Sequence, residues 1–260
     1  MLVGLDGPRA TVLWWTLPSY MTLIGTAILV SCGLLFWKTR RSWKLHQAAD
    51  SALMAAAFGL VLARFEHIML DWAYFSGLPS EILSFAAGGL NAHGAIAGAA
   101  LGGWVASRLF GNRLEPWLSA AAYAVCVISI AAWWGCAAAS CAYGAEVGNL
   151  ADYPSWLVWE AQGDFLMVAP RYAVQPIGAI MSVLLLGMVS LSAALGIRGR
   201  RRVGMAITGV MLISFLLGFL RGDPGLDLAG LRVTQLLDVL FAGAGVLLAL
   251  WPRRSSVLTP

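Results

Sequence analysis

The chain has 260 residues, 60% of them apolar and only 12% charged, with a mean hydropathy of +0.77. No water-soluble core of this length needs so many apolar residues, so lipid is the solvent for most of the chain. The formal charge of +4 comes from basic residues in short clusters between apolar runs, a pattern that fits membrane orientation and argues against a nucleic-acid partner.

In hydrocarbon every backbone N–H and C=O must be satisfied within its own segment or within a closed barrel. The apolar runs are long and unbroken rather than alternating, so helices are predicted. The first 16 residues hold one acid and one arginine, with no basic leader region and no cleavage pattern, so the first run is expected to remain as a helix. Runs of about 20 residues then fall near 17–37, 47–70, 90–110, 117–136, 173–196, 203–220 and 233–251. The expected fold is therefore an all-α integral membrane protein with about seven transmembrane helices.

The connections alternate in charge. Lys38, Arg40, Arg41 and Lys44 follow the first run, Arg108 and Arg113 the third, Arg198, Arg200, Arg201 and Arg202 the fifth, and Arg253 and Arg254 the last. Acids dominate the other side, with Asp71 and Glu81 after the second run and Glu146, Asp152, Glu160 and Asp164 after the fourth. The positive-inside rule then places the N-terminus outside and the C-terminus in the cytoplasm. Trp14, Trp15, Trp37, Trp43, Trp72 and Trp251 lie at expected interfaces. Outer connections near 71–92 and 137–172, the second with Trp156, Leu157, Trp159 and Phe165, are apolar enough to be expected as interfacial helices. Without repeats or a soluble segment, 1–260 reads as a single transmembrane domain.

Of the cysteines Cys32, Cys126, Cys136 and Cys141, only the last two are candidates for a disulfide, and no spacing suggests a metal site. More telling are Arg64, Glu66 and His67 near the outer end of the second run, and Asn91 and His93 in a glycine-rich start to the third. Ionisable groups at that depth are functional candidates by default. His93 has a titration range suited to proton abstraction. Arg171, Arg221 and Arg232 lie on the same outer side as Arg64, and guanidinium forks match phosphate oxygens. Snorkelling to headgroups is the plainer alternative. Asp50, Glu66 and Asp238 look too few and too near the span ends for a proton-relay transporter.

The run from Gly88 to Gly98, Gly-Gly-Leu-Asn-Ala-His-Gly-Ala-Ile-Ala-Gly, resembles the glycine-glycine and histidine-glycine stretch of the prolipoprotein diacylglyceryl transferase family. Tyr20 after Pro18, Arg64 in Leu-Ala-Arg-Phe-Glu, the run from Gly135 to Gly144, Pro170-Arg171-Tyr172 with Gln175, Arg221-Gly-Asp-Pro224, and Gln235 match further elements in the same order. The resemblance implies transfer of diacylglyceryl from phosphatidylglycerol to a lipobox cysteine thiol of a preprolipoprotein, in the bacterial plasma (inner) membrane and with no cofactor. It implies that His93 helps remove the thiol proton while Arg64 and Arg221 hold the phosphate. Tyr20, Asn91, Gly94, Tyr143, Gly144, Arg171, Gln175 and Gln235 would line the lipid site. Four elements depart from the family pattern. Trp133 and Ser214 stand where arginines are expected, Cys136 and Cys141 replace an asparagine and a glutamate, and Ile177-Gly178 replaces a tyrosine-glutamate pair. These departures open a second reading, a non-catalytic relative acting as a lipid scaffold or as a subunit beside other membrane proteins, with small residues such as Gly98, Gly102 and Gly103 as docking faces.

Overall fold

The computed structural model describes residues 19–84, 89–111, 114–163 and 167–251. Pro18, Trp14, Trp15, Gly88, Arg113, Asp164, Phe165, Arg253 and Arg254 lie outside the described residues. In chain order the helices are α1 (Tyr20–Thr39), α2 (Leu45–Leu70), short α3 (Trp72–Gly77), α4 (Ala92–Phe110), α5 (Leu114–Ala139), α6 (Val174–Ala194), α7 (Gly199–Gly218) and α8 (Val233–Leu250). Each apolar run becomes one long helix, with ends within four residues of those expected. Six of the seven long helices are long and apolar enough to cross a membrane, which makes this a multi-pass helical membrane protein. The exception is α4, whose 19 residues include four glycines and six alanines.

The segments expected at the outer interface depart from expectation. The connection after α2 does hold a helix, but only the six-residue α3 and a single turn over Pro79–Glu81. The described residues of 140–173 hold no α-helix, only a single 3-10 turn over Leu150–Asp152. They form the antiparallel strands β1 (Val158–Gln162) and β2 (Val168–Tyr172) within irregular chain. The reason lies in the punctuation: Gly144, Gly148, Pro154, Gly163 and Pro170 interrupt the segment at intervals shorter than a stable helix needs. A second hairpin, β3 (Asp227–Leu228) and β4 (Leu231–Arg232), turns through Ala229 and Gly230 at φ 54° and 82°, a turn that requires two left-handed residues.

The most intimate helix contact joins α4 to α2. Gly94, Gly98 and Gly102 recur every fourth residue, and a Cβ on them would fall 2.2, 2.2 and 2.4 Å from the carbonyl oxygens of Leu62, Phe58 and Met54. In lipid, where no hydrophobic force drives helices together, such small-residue faces let backbones approach and gain dispersion. Gly103 instead lies against the indole side chain of Trp117 on α5. The small residues expected to dock onto other proteins are thus largely occupied within the chain. A second core, with Met211, Val189, Val174 and Cys126 fully buried, binds α5, α6 and α7.

The two ends of the bundle differ. At one end Arg202 donates to Ser119 Oγ at 2.8 Å, Glu115 accepts from the Gly199 N–H at 2.6 Å, and Lys38 lies over the Trp37 and Tyr123 rings. At the other end, where α2, α5 and α7 finish and α1, α4, α6 and α8 begin, all the candidate site residues gather.

Candidate active site

The end of α2 and the start of α4 meet because of the glycine face just described, and this brings His93 to Glu66. His93 Nδ1 is 2.7 Å from Glu66 Oε1, and Nε2 is 2.9 Å from Asp238 Oδ1 on α8. Glu66 Oε2 also accepts from the Gly94 N–H at 2.5 Å. His93 and Asp238 are buried, and the ring of Phe241 lies edge-on to the imidazole. Three helices thus converge on one imidazole. Neither acid was singled out from the sequence as a partner of His93. The available signals were the two-residue spacing of Glu66 from Arg64, and Asp238 one helical turn from Gln235 on the buried face of α8.

Arg64, also buried, is turned toward the segment after α3. Its Nε donates to Ile82 O at 3.0 Å, Nη2 to Glu81 O at 2.6 Å and Nη1 to Gly89 O at 3.3 Å, and its guanidinium lies over the Phe75 ring. Charge-assisted donation to three carbonyls staples the segment after α3 over the end of α2. Asn91 takes the N-cap position of α4, and its backbone N–H donates to Ala63 O at 3.2 Å.

A second cluster forms where the loop after α5 pairs with the segment after α7. Gly144 and Arg221 form an antiparallel bridge, flanked by Ala145 N–H to Leu220 O at 2.8 Å and Gly222 N–H to Tyr143 O at 2.9 Å. Arg221 forks onto Asp223, Nε to Oδ1 at 2.8 Å and Nη2 to Oδ2 at 2.5 Å, and Arg232 donates to Asp223 O at 2.7 Å. Burial works against the Arg221 charge, but the Asp223 and Asp238 carboxylates more than offset it and hold its pKa above the ordinary arginine value. Asp238 therefore faces both His93 and the field of Arg221. Arg171 on β2 stacks over Tyr143 and donates to Gly144 O at 3.4 Å and to Glu146 at 3.4 Å; its buried Nε has no protein partner among the described residues.

Gln175, 1% exposed, donates to Cys141 O at 2.9 Å, while its Oε1 has no partner among the described residues. Gln235 is engaged on both amide ends, accepting from Arg232 N–H and donating to Phe215 O. Tyr20 packs on Gly135. Cys136 and Cys141 form a disulfide that closes a tight turn, with Ser140 inside it at φ 54° and Ala142 just after it at φ 51°, each such residue costing about 1–2 kcal/mol. Reduction, or replacement of both cysteines by serine, is expected to lower stability by about 2 kcal/mol for so short a loop, read as a fall in the thermal midpoint on adding reductant.

Two of the departures from the expected pattern touch each other. A Cβ at Gly178 would lie 2.4 Å from Trp133 Cδ2, so the indole fills the space that the glycine leaves. Nothing in the structure explains the half-buried Ser214.

The fold and site together define a helical multi-pass membrane protein whose buried ionisable groups gather at one end of the bundle. The chain belongs to the prolipoprotein diacylglyceryl transferase family, whose model matches residues 9–251. It is similar to the phosphatidylglycerol–prolipoprotein diacylglyceryl transferase of Clostridium novyi (strain NT), 24% identical over 237 residues that cover 88% of this chain and 89% of the relative. The enzyme of the same name from Streptococcus agalactiae serotype Ia is 27% identical over 223 residues, 83% of each chain.

Proposed function

We propose that this protein transfers a diacylglyceryl group from phosphatidylglycerol to a cysteine thiol of a prolipoprotein, at the outer face of the bacterial plasma membrane. In this reading α4 is the seventh span, the N-terminus lies outside and the C-terminus in the cytoplasm. The gathering of basic residues at the end of the bundle opposite the site supports that orientation. The observation that carries the reading is the Glu66–His93–Asp238 cluster, a buried group of proton-bearing side chains in the field of the Arg221 guanidinium.

The chemistry follows from this arrangement. Removing the thiol proton raises the thiolate fraction, the nucleophilic form. Arg221, kept charged by its acids, and Arg171, with a buried N–H free of protein partners among the described residues, would receive the phosphate and stabilise charge on the leaving group. Gln175 Oε1 would accept from a headgroup hydroxyl. Arg64 in this state shapes the loop after α3, to whose carbonyls it donates. The subunit reading has no comparable support: its docking glycines are packed inside the chain.

The decisive assay supplies purified protein with phosphatidylglycerol and a lipobox peptide. Peptide-dependent glycerol phosphate release is expected from the wild type, falling at least tenfold in His93→Gln. A well-folded wild-type protein that releases none would remove the transferase reading.

A further inference from the structure

Each ring nitrogen of His93 faces a carboxylate oxygen, at 2.7 Å and 2.9 Å. A hydrogen bond requires one hydrogen, so the two contacts share two hydrogens among three groups. Either the ring is an imidazolium between two carboxylates, or it is neutral beside one carboxylic acid. Both forms carry a net charge of −1, and in both the two nitrogens are engaged. His93 therefore has no open lone pair with which to take a proton from a thiol.

The acids differ in what they leave open. The Asp238 side chain is 1% exposed and that of Glu66 is 13%. Glu66 accepts one hydrogen bond on each oxygen, from His93 and from the Gly94 N–H, and a carboxylate has about four acceptor sites. Among the described residues, Glu66 is the member of the cluster with both unfilled acceptor sites and access.

We propose that Glu66 is the catalytic proton acceptor of the transfer, and that His93 and Asp238 are positioning residues that aim it and spread the charge. The proposal rests on the diacylglyceryl-transfer reading. In the step it describes, the thiol proton passes to a Glu66 oxygen as the S–H electron pair forms the new S–C bond to the glyceryl carbon. The C–O bond from that carbon to the phosphate breaks, and its electron pair leaves on the phosphate oxygen of glycerol phosphate. Glu66 returns its proton to the leaving phosphate or to water, restoring the −1 cluster. The titratable and charged neighbours are His93 on α4, Asp238 on α8 with Arg221 behind it, and Arg64, His67 and Asp71 on or beside the end of α2. Arg64 is directed to the loop carbonyls and His67 is paired with Asp71 at 3.2 Å.

The test is the pH dependence of glycerol phosphate release by the full chain in detergent with phosphatidylglycerol and a lipobox peptide, for wild type, Glu66→Gln, Glu66→Asp, His93→Gln and Asp238→Asn. Glu66→Gln is expected to lose kcat by about 10²- to 10⁴-fold, with little change in KM for the lipid and with the acid limb of the profile gone. Glu66→Asp should recover part of that loss together with the limb, which separates lost chemistry from lost folding. His93→Gln and Asp238→Asn should fall about 10- to 100-fold, less than Glu66→Gln does, and keep a displaced acid limb. A Glu66→Gln protein within threefold of wild-type kcat, or a His93→Gln protein in which the limb alone disappears, overturns the proposal in favour of His93 as the base. Absence of turnover in the wild type is a separate outcome, which removes the transfer reading and this proposal with it.

Discussion

Replacing Asp238 by alanine is expected to destabilise the protein by about 3 kcal/mol or more, while asparagine costs distinctly less. The carboxylate is 1% exposed and its hydrogen-bond partner is His93 Nε2 at 2.9 Å. Breaking a buried pair from one side leaves the other polar group desolvated and unmatched, at about 3–5 kcal/mol. Asparagine keeps an acceptor for that nitrogen and removes only the charge. Arg221 would also lose one of the two carboxylates that hold its charge. Thermal unfolding of the purified variants in one detergent checks the ordering. Equal midpoints for alanine and wild type would show that the contact contributes nothing to stability.

Enlarging Gly98 to valine is the second large effect expected. The first added carbon would stand 2.2 Å from Phe58 O and 2.8 Å from Gly59 Cα. These are backbone atoms, so no rotamer change relieves the clash and the helices must separate. Overpacking typically costs about 1–3 kcal/mol; a backbone clash belongs at or above the top of that range. Because the same face sets the spacing of Glu66 and His93, activity should fall further than stability alone explains. Monodisperse protein yield and glycerol phosphate release measured on the same preparation separate the two effects. Valine at Gly243, where a Cβ would meet nothing within 4 Å, is the control expected to be mild.

The Trp133 and Gly178 contact bears on how the departures from the family pattern arose as a set. Both positions depart from the expected charged residues, and the structure places the indole in the space that the glycine leaves. A single reversion at Gly178 would collide with the indole, so the two positions are coupled in packing. The phosphate-side charge is then left to Arg221 and Arg171 in the proposed reaction, with Arg232 bracing Asp223 beside them.

Much of this was legible in the chain because the membrane reads hydropathy directly. Seven apolar runs gave the positions of seven helices, since hydrocarbon leaves the backbone no alternative to internal hydrogen bonds. The run with Asn91 and His93 drew attention for the same reason, a buried polar group being expensive. Hydropathy was silent where the segment is neither spanning nor helical. The segment over 140–173 is apolar enough to suggest an interfacial helix, yet glycines and prolines make its described residues irregular chain and two paired strands. Pairing across the bundle was equally hidden. Glu66 and Asp238 are 172 residues apart in number and meet on one imidazole only because a glycine face lets α4 close on α2. Sequence by itself determined the solvent, the helices, the family resemblance and the candidate histidine. Only the tertiary structure decided which groups hold its two nitrogens, because helix rotation and approach are set by side-chain packing rather than by average hydropathy.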